Sequence, residues 1–150
     1  MRTRAMVAAA VIALLGACND GGLEVLPNEP EADRPRAYET GSATVTIDGR
    51  DYPMTLAFTK PSKNSLTLTY RGTGEGGMTL LVPRETGTFR TKLDKAALTI
   101  VASTKRVGIS TDGECTIEVT SVAKLEGTIE CNALEFAKKR SEVGGTFNAV

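Results

Sequence analysis

Residues 114–131 read ECTIEVTSVAKLEGTIEC, and this segment indicates the fold class most clearly. It contains two runs in which apolar and polar residues alternate, the pattern of half-buried β-strands, separated by residues 122–124. With Cys115 opposite Cys131, an antiparallel hairpin has one apolar face and one polar face. A shift of one residue would place core-facing side chains opposite solvent-facing ones, so the pattern predicts this single register.

The opposed pairs of the predicted hairpin divide into an apolar face and a polar face. The apolar face consists of four opposed pairs: Cys115 with Cys131, Ile117 with Ile129, Val119 with Gly127, and Ser121 with Leu125. The polar face consists of three: Thr116 with Glu130, Glu118 with Thr128, and Thr120 with Glu126.

Directly opposed cysteines also satisfy the geometry of a disulfide, whose Cα atoms lie roughly 4.4–6.8 Å apart. Closing a loop of about 15 residues stabilises a domain by about 3 kcal/mol in the chain-entropy model. A redox-active pair is disfavoured, because the C-x-x-C spacing is missing and the chain has no histidine to lower a thiol pKa. We therefore predict a structural disulfide between Cys115 and Cys131, with free or intermolecular thiols as the alternative.

The period of two extends over the chain from residue 42 onward. Apolar alternation marks strands near 43–47, 52–58, 66–70, 78–82 and 98–102, and more weakly near 89–93, 107–109 and Phe147. Residues 133–142, ALEFAKKRSE, favour a short helix or an irregular excursion. We predict an all-β domain over residues 42–150: an antiparallel β-sandwich, or a partly open β-barrel, of about eight to nine short strands. At most one short helix is expected, near 133–142.

The N-terminus has the pattern of an export signal. Arg2 and Arg4 precede an apolar run, Ala5 to Leu15, that is too short to span a bilayer, for which a helix needs about 20 residues. The run ends in Leu15-Gly16-Ala17-Cys18, which resembles the lipobox of bacterial lipoproteins. The resemblance implies that residues 1–17 are a signal peptide and that Cys18 becomes an acylated N-terminus. Cleavage near Ala17 without acylation is the alternative.

Residues 18–41 link this anchor to the β domain. They hold three of the six prolines and more acidic than basic side chains, a composition typical of a flexible tether. In lipoproteins, Asn19 in place of Asp directly after the acylated cysteine favours the outer membrane, facing the periplasm, if the host is Gram-negative. Removal of residues 1–17 leaves 16 basic and 18 acidic side chains. Membrane contact is therefore expected through lipid and not through a basic patch.

Composition excludes several classes of function. Without histidine the chain has no Ser-His-Asp triad and no imidazole metal ligand. Its 18 basic and 18 acidic residues balance, which argues against a nucleic-acid partner. We predict no catalytic, cofactor-binding or metal-binding residues.

Four short motifs resemble functional sites, and each has a simpler interpretation. The G-x-G-x-x-G sequence at 72–77 precedes a strand, whereas dinucleotide binding needs a helix there. The S-x-x-K sequence at 121–124 lies in the predicted hairpin turn and lacks the partner motifs of penicillin-recognising enzymes. Asp48 and Asp51 are too few oxygen ligands for Ca²⁺. The basic triplet 138–140 is interpreted as a solvated face.

A further resemblance concerns residues 45–51, VTIDGRD, which are similar to the V-x-I-D-G-K-D hairpin of small mycobacterial antigen lipoproteins. These proteins also have an exported domain with two cysteines. Together the features predict a non-enzymatic, membrane-anchored envelope lipoprotein with a structural or protein-interaction role. Its partners are then the lipid bilayer, through acylated Cys18, and an envelope protein. The alternative is a β domain that binds a small apolar ligand or lipid, for which an unfilled core would be the sign.

Overall fold

The computed structural model describes residues 37–110 and 114–150, and these residues form β-strands joined by turns, with no helix among them. No helix in the described part of the chain is therefore long and apolar enough to cross a membrane. The ten strands, in chain order, are β1 (Gly41–Ile47), β2 (Arg50–Pro61), β3 (Ser65–Gly72), β4 (Gly77–Pro83), β5 (Gly87–Arg90), β6 (Ala97–Ser103), β7 (Arg106–Ile109), β8 (Cys115–Ser121), β9 (Leu125–Phe136) and β10 (Lys139–Ala149).

Eight of the strands close into an antiparallel barrel. The order around it is β10-β1-β2-β3-β4-β6-β7-β9, and β9 pairs back with β10 to complete the ring. Strand β7 meets β9 at one pair, Gly108 with Phe136, while the earlier part of β9 pairs with β8 on that same edge. Strand β8 in turn pairs with β5, so β8 and β5 extend the wall beside β7. The prediction of an antiparallel all-β domain is confirmed, and the closed barrel is the architecture adopted.

The predicted hairpin is strands β8 and β9, and its register is confirmed from Cys115 opposite Cys131 to Val119 opposite Gly127. Beyond Val119 the register shifts by one residue, so Ser121 pairs with Glu126 and not with Leu125. A bulge of this kind adds a residue to one strand and increases its local twist. Leu125 is still buried.

Alternate side chains of the strands fill the inside of the barrel. The largest fully buried side chains come from nearly every strand: Tyr70, Phe136, Leu68, Met78, Leu80, Leu98, Ile100, Ile117, Leu125, Ile129, Leu134 and Val45. Tyr70 is the largest of them, and its hydroxyl donates a hydrogen bond to the carbonyl oxygen of Asn148, at 2.9 Å. The interior of the barrel formed by the described strands is thus a packed core.

The helix considered near 133–142 does not form. Residues 125–136 are a single strand, and β10 begins at Lys139 after a tight turn in which Ala137 and Lys138 have φ values of 49° and 73°. The physical reason is the spacing of two between Leu134 and Phe136, which directs both side chains into the core, where they are almost completely buried. Tertiary burial therefore overrides the local helical propensity of this stretch.

Strand β10 raises the strand number to ten, above the expected eight to nine. Its 11 residues pair with β1 on one side and with β9 on the other. The sequence marked only Phe147 there, because Gly144 and Gly145 interrupt the apolar alternation. Backbone hydrogen bonds to both neighbouring strands therefore hold these residues in a strand, although their side chains do not alternate between apolar and polar.

Two predicted runs place apolar side chains outside the barrel. In β2 the register shifts between Leu56 and Phe58, so Phe58 points outward and is 57% exposed. In β7 the inward residue is Gly108, since a Cβ there would lie 2.6 Å from Cε1 of the Phe136 ring. Val107 and Ile109 consequently face outward.

Candidate functional site

The described chain enters the barrel at one end, which we call the N-terminal rim. Residues preceding β1 are fixed there: the backbone N–H groups of Glu39 and Thr40 donate to the carbonyl oxygen of Val150, each at 3.0 Å. The hydroxyl of Tyr38 donates to the carbonyl oxygen of Val122, in the turn between β8 and β9, at 2.5 Å. The N-terminal rim therefore contains the start of β1, the end of β10 and the β8–β9 turn.

A cleft with a volume of about 960 Å³ lies at this rim. We call it the rim cleft. It is bordered by the β2–β3 turn, the end of β4, the β4–β5 connection, β5 and the β5–β6 connection. Its lining residues are Lys63, Asn64, Ser65, Leu81, Pro83, Arg84, Glu85, Thr88, Phe89, Leu93, Asp94 and Lys95. A neighbouring cleft of about 220 Å³ shares Pro83 and Arg84 and is also lined by Tyr38, which places the rim cleft beside the point of chain entry.

The rim cleft exists because the wall is incomplete at this end. The pairing of β4 with β6 ends at Leu81 with Ala97, where β6 begins. Beyond it, β5 pairs only with β8 among the described strands. The last residues of β4 and the whole of β5 therefore face each other without ladder hydrogen bonds, and the space between them is the cleft.

A tight connection shapes one side of the cleft. The Asp94 carboxylate accepts a hydrogen bond from the backbone N–H of Arg90 at 2.8 Å and contacts Nε of the same residue at 3.4 Å. These interactions lower the pKa of Asp94, with the backbone N–H as the largest cause. Lys92 and Lys95 have positive φ values, of 59° and 58°. The chain thus turns sharply on both sides of Leu93, whose side chain is 51% exposed.

Three basic and two acidic side chains line the cleft, and none of the three basic ones is in an ion pair with a described residue. The ion pairs of the described residues join Arg90 to Asp94 and Lys139 to Asp48, so Lys63, Arg84 and Lys95 each make none with a described residue. Arg84 is half-buried. Among the acidic lining residues, Asp94 is already engaged and only Glu85 is unpaired within the described structure. The arrangement offers three cations beside the apolar side chains of the cleft, a combination suited to an anionic, partly apolar group.

The cysteines predicted to pair are joined in a disulfide, with their Cα atoms 4.1 Å apart. Both side chains belong to the hydrophobic core and are almost completely buried. The disulfide therefore acts on the stability of the domain and offers no exposed thiol chemistry. Cys18, the predicted acylation site, lies outside the described residues.

The motifs that resembled functional sites have structural roles. Residues 72–77 connect β3 to β4, with the Gly72 N–H donating to the Gly76 carbonyl oxygen at 2.9 Å, and no helix follows. Residues 121–124 form the end of β8 and the β8–β9 turn. The structure thus brings neither motif to a catalytic or phosphate-binding arrangement.

Asp48 and the basic triplet 138–140 are linked to each other. The Asp48 carboxylate accepts hydrogen bonds from Lys139 Nζ, at 2.8 Å, and from Ser141 Oγ, at 3.0 Å. These bonds, led by the one from Lys139, lower the pKa of Asp48. The contact ties the β1–β2 turn to the β9–β10 hairpin at the end of the barrel opposite the N-terminal rim.

Polar groups within the core are used in packing. In the described residues no group of three or more His, Cys, Asp or Glu side chains could hold a metal ion. The buried polar residues are Thr91, Ser110 and Ser141. The Ser110 hydroxyl accepts from the Leu98 N–H at 3.1 Å, and the Thr91 hydroxyl accepts from the Cys115 N–H at 3.2 Å. The hydroxyls of Ser110 and Thr91 thus accept hydrogen bonds from backbone N–H groups near the starts of β6 and β8.

The residues of the rim cleft were not identified from the sequence. Lys63, Arg84 and Lys95 are isolated basic residues in separate turns, and nothing in their spacing indicates that they meet. No protein-family model matches the chain, and no curated protein and no solved structure matches it significantly. The function is therefore argued from the chain's own residues.

Proposed function

We propose that this protein is an exported, lipid-anchored protein of the bacterial cell envelope with a non-enzymatic, structural or protein-interaction role. The observation that carries the proposal is the lipobox-like sequence Leu15-Gly16-Ala17-Cys18 directly after an apolar run. Two or three acyl chains on Cys18 anchor a protein stably, because each buried CH₂ contributes about 0.8 kcal/mol. The outer membrane, facing the periplasm, is the proposed location if the host is Gram-negative.

The disulfide in the β domain supports export. Disulfides persist in oxidising compartments outside the cytoplasm and are rare within it. Cys115 and Cys131 are paired in the core of the domain, 16 residues apart in the chain. A chain that folds with this bond fits the periplasm or the cell surface.

The filled barrel supports an interaction role over ligand carriage. A barrel that holds a small ligand leaves a cavity of several hundred Å³ in its interior. Here Tyr70, Phe136 and many aliphatic side chains occupy that space and are fully buried. The alternative, a domain that binds an apolar molecule between its strands, would require these side chains to be displaced. A partner is therefore more easily bound on the surface of the domain than inside the barrel.

Metabolic labelling with palmitate tests the anchor. The wild-type protein should incorporate label and fractionate with membranes, and Cys18→Ala should lose both properties. The matched control replaces the other two cysteines, Cys115→Ala with Cys131→Ala, and should still be labelled. Labelling that survives Cys18→Ala would refute the acylation site.

Crosslinking in whole cells tests the role of the domain. Crosslinks from the β domain to a specific envelope protein would support the interaction role. Recovery of one apolar molecule bound stoichiometrically to the purified protein, with no protein crosslinks, would favour the alternative of a ligand-binding domain.

A further inference from the structure

We propose that the rim cleft docks onto the anionic headgroups of the membrane to which the protein is anchored. This inference rests on the proposed anchor and goes beyond it, because it assigns the lipid surface a second contact with the folded domain. The domain would then lie with its N-terminal rim against the bilayer.

The charge of the cleft is the first argument. Lys63, Arg84 and Lys95 line it and have no ion-pair partner among the described residues, whereas Asp94 is held by Arg90. Lys92 adds a further exposed cation next to Leu93. Basic side chains near an anionic bilayer surface each raise the affinity roughly fivefold. Three or four of them at one rim therefore make a favourable contact with anionic lipid.

The apolar part of the cleft is the second argument. Leu93 is 51% exposed at the tip of the β5–β6 connection, between two residues with positive φ that fix its position. Leu81, Pro83 and Phe89 line the cleft behind it. An apolar tip surrounded by cations matches the bilayer interface, where headgroups are charged and the acyl chains begin just beneath them.

The position of the chain entry is the third argument. Tyr38 lies beside Arg84 and is bonded to Val122, so the segment that leads toward Cys18 meets the domain next to the rim cleft. An anchor attached through that segment keeps this rim close to the membrane at high effective concentration. The opposite end of the barrel is farther from Tyr38 by about the length of the strands.

The acidic side chains at the cleft are fewer than the basic ones. Asp94 is held by Arg90, which leaves Glu85 as the one acidic lining residue without an ion pair in the described structure. Glu118, Glu126 and Glu130 belong to the polar face of β8 and β9, outside the cleft. The net charge of −2 expected for the chain from Cys18 onward therefore conceals a cleft whose lining has more basic than acidic side chains. Sequence composition predicted membrane contact through lipid alone, and the placement of Lys63, Arg84 and Lys95 argues for a second contact.

A tryptophan reporter tests the proposal, because the natural chain has no tryptophan. The chain from Cys18 to Val150, which contains every described residue, is coupled through the Cys18 thiol to a maleimide lipid in vesicles. The disulfide leaves no other thiol to react. In Leu93→Trp, emission should shift to the blue and be quenched by brominated lipids in vesicles that contain phosphatidylglycerol. In vesicles of phosphatidylcholine alone, neither change should occur.

Two controls locate the effect. Ile109 lies on the outer wall of the barrel and is 59% exposed. The tryptophan emission of Ile109→Trp should be neither shifted nor quenched. In the Leu93→Trp background, the triple change Lys63→Gln, Arg84→Gln and Lys95→Gln should reduce the ratio of docked to undocked protein roughly 100-fold. The matched triple change Lys105→Gln, Lys138→Gln and Arg140→Gln, in two turns and at the start of β10 at the opposite end, should leave the ratio unchanged.

The outcomes separate this proposal from that of the anchor. Coupling supplies the anchor chemically, so failure of Leu93→Trp to respond refutes docking whether or not cells acylate Cys18. Equal quenching in both kinds of vesicle, or quenching that resists high salt, refutes the role of the cations. A blue shift without vesicles that grows with protein concentration assigns the cleft to a second copy of the chain and also overturns the proposal.

Discussion

Replacement of Gly127 by alanine should destabilise the domain, although alanine usually strengthens a strand. Gly127 lies in β9 between Val119 of β8 and Phe147 of β10. A Cβ atom at this position would collide with the backbone oxygen of Glu118 and with the Phe147 ring, whose Cε1 would be 2.8 Å away. The Phe147 ring is almost completely buried and packs against the glycine.

Two opposing contributions decide the magnitude. Alanine in place of glycine within a strand stabilises by roughly 0.5–1 kcal/mol, because less backbone entropy is lost on folding. Overpacking a filled core costs typically about 1–3 kcal/mol. One colliding atom is a backbone oxygen of the neighbouring strand, which cannot rotate away, so the cost should lie near the upper limit. We expect Gly127→Ala to lower the free energy of unfolding by about 2 kcal/mol.

The matched control is Gly144→Ala in β10, where no heavy atom lies within 4 Å of the added Cβ and φ is not positive. It should stabilise the domain by roughly 0.4–1 kcal/mol through the unfolded state. Urea denaturation followed by circular dichroism, with the disulfide intact, measures both variants. A Gly127→Ala variant as stable as the wild type, or equal losses in the two variants, would refute the packing argument.

Three further predictions concern the disulfide and two side chains. Reduction of the disulfide, which closes a loop between residues 16 apart, should lower the free energy of unfolding by about 3 kcal/mol, seen as a lower urea midpoint with reductant than without it. Asp48→Asn should flatten the acid limb of the stability–pH curve: the lowered pKa of Asp48 in the folded state contributes stability above its unfolded value of about 3.9, and this is lost as the pH falls through the folded value. The matched variant Asp51→Asn, at a carboxylate that makes no ion pair in the described structure, serves as its control. Tyr70→Phe should cost about 1 kcal/mol by leaving the Asn148 carbonyl without its donor, and it should weaken the loss of stability above about pH 10, because burial raises the pKa of the Tyr70 hydroxyl and ionisation opposes folding. An unchanged alkaline limb in this variant would contradict that assignment.

The hairpin of β8 and β9 shows how far sequence reasoning reaches. Its register follows from local information, since the alternation of residue types and the two cysteines agree on one pairing. The bulge after Val119 does not follow, because it depends on how β8 twists to reach β5 and how β9 pairs at the same time with β10. The contacts that β5 and β10 make with this hairpin cannot be inferred from the sequences of β8 and β9 alone.

The stretch 133–142 illustrates the same limit with a different outcome. Its composition favours a helix, but Leu134 and Phe136 gain more by filling the barrel than a short helix gains from propensity. The missed length of β10 has a related cause: Gly144 and Gly145 hide the apolar period, and Gly145 suits a crowded position beside Thr44 of β1. The helix expected at 133–142 and the underestimated length of β10 have the same origin: both were predicted from local sequence preference, whereas burial in the folded domain determines the structure.

The alternation of residue types and the spacing of the cysteines were enough to predict an antiparallel β domain with one cysteine pair, and the argument for an anchor at Cys18 comes from residues 1–18 alone. Those features depend on residues close together in the chain or on patterns of period two. Three features could be found only in the folded chain: the sheet closes, the core is filled, and Lys63, Arg84 and Lys95 line one cleft. The reason is physical: closure and convergence depend on which strands become neighbours, and that choice is made by packing between residues far apart in the chain.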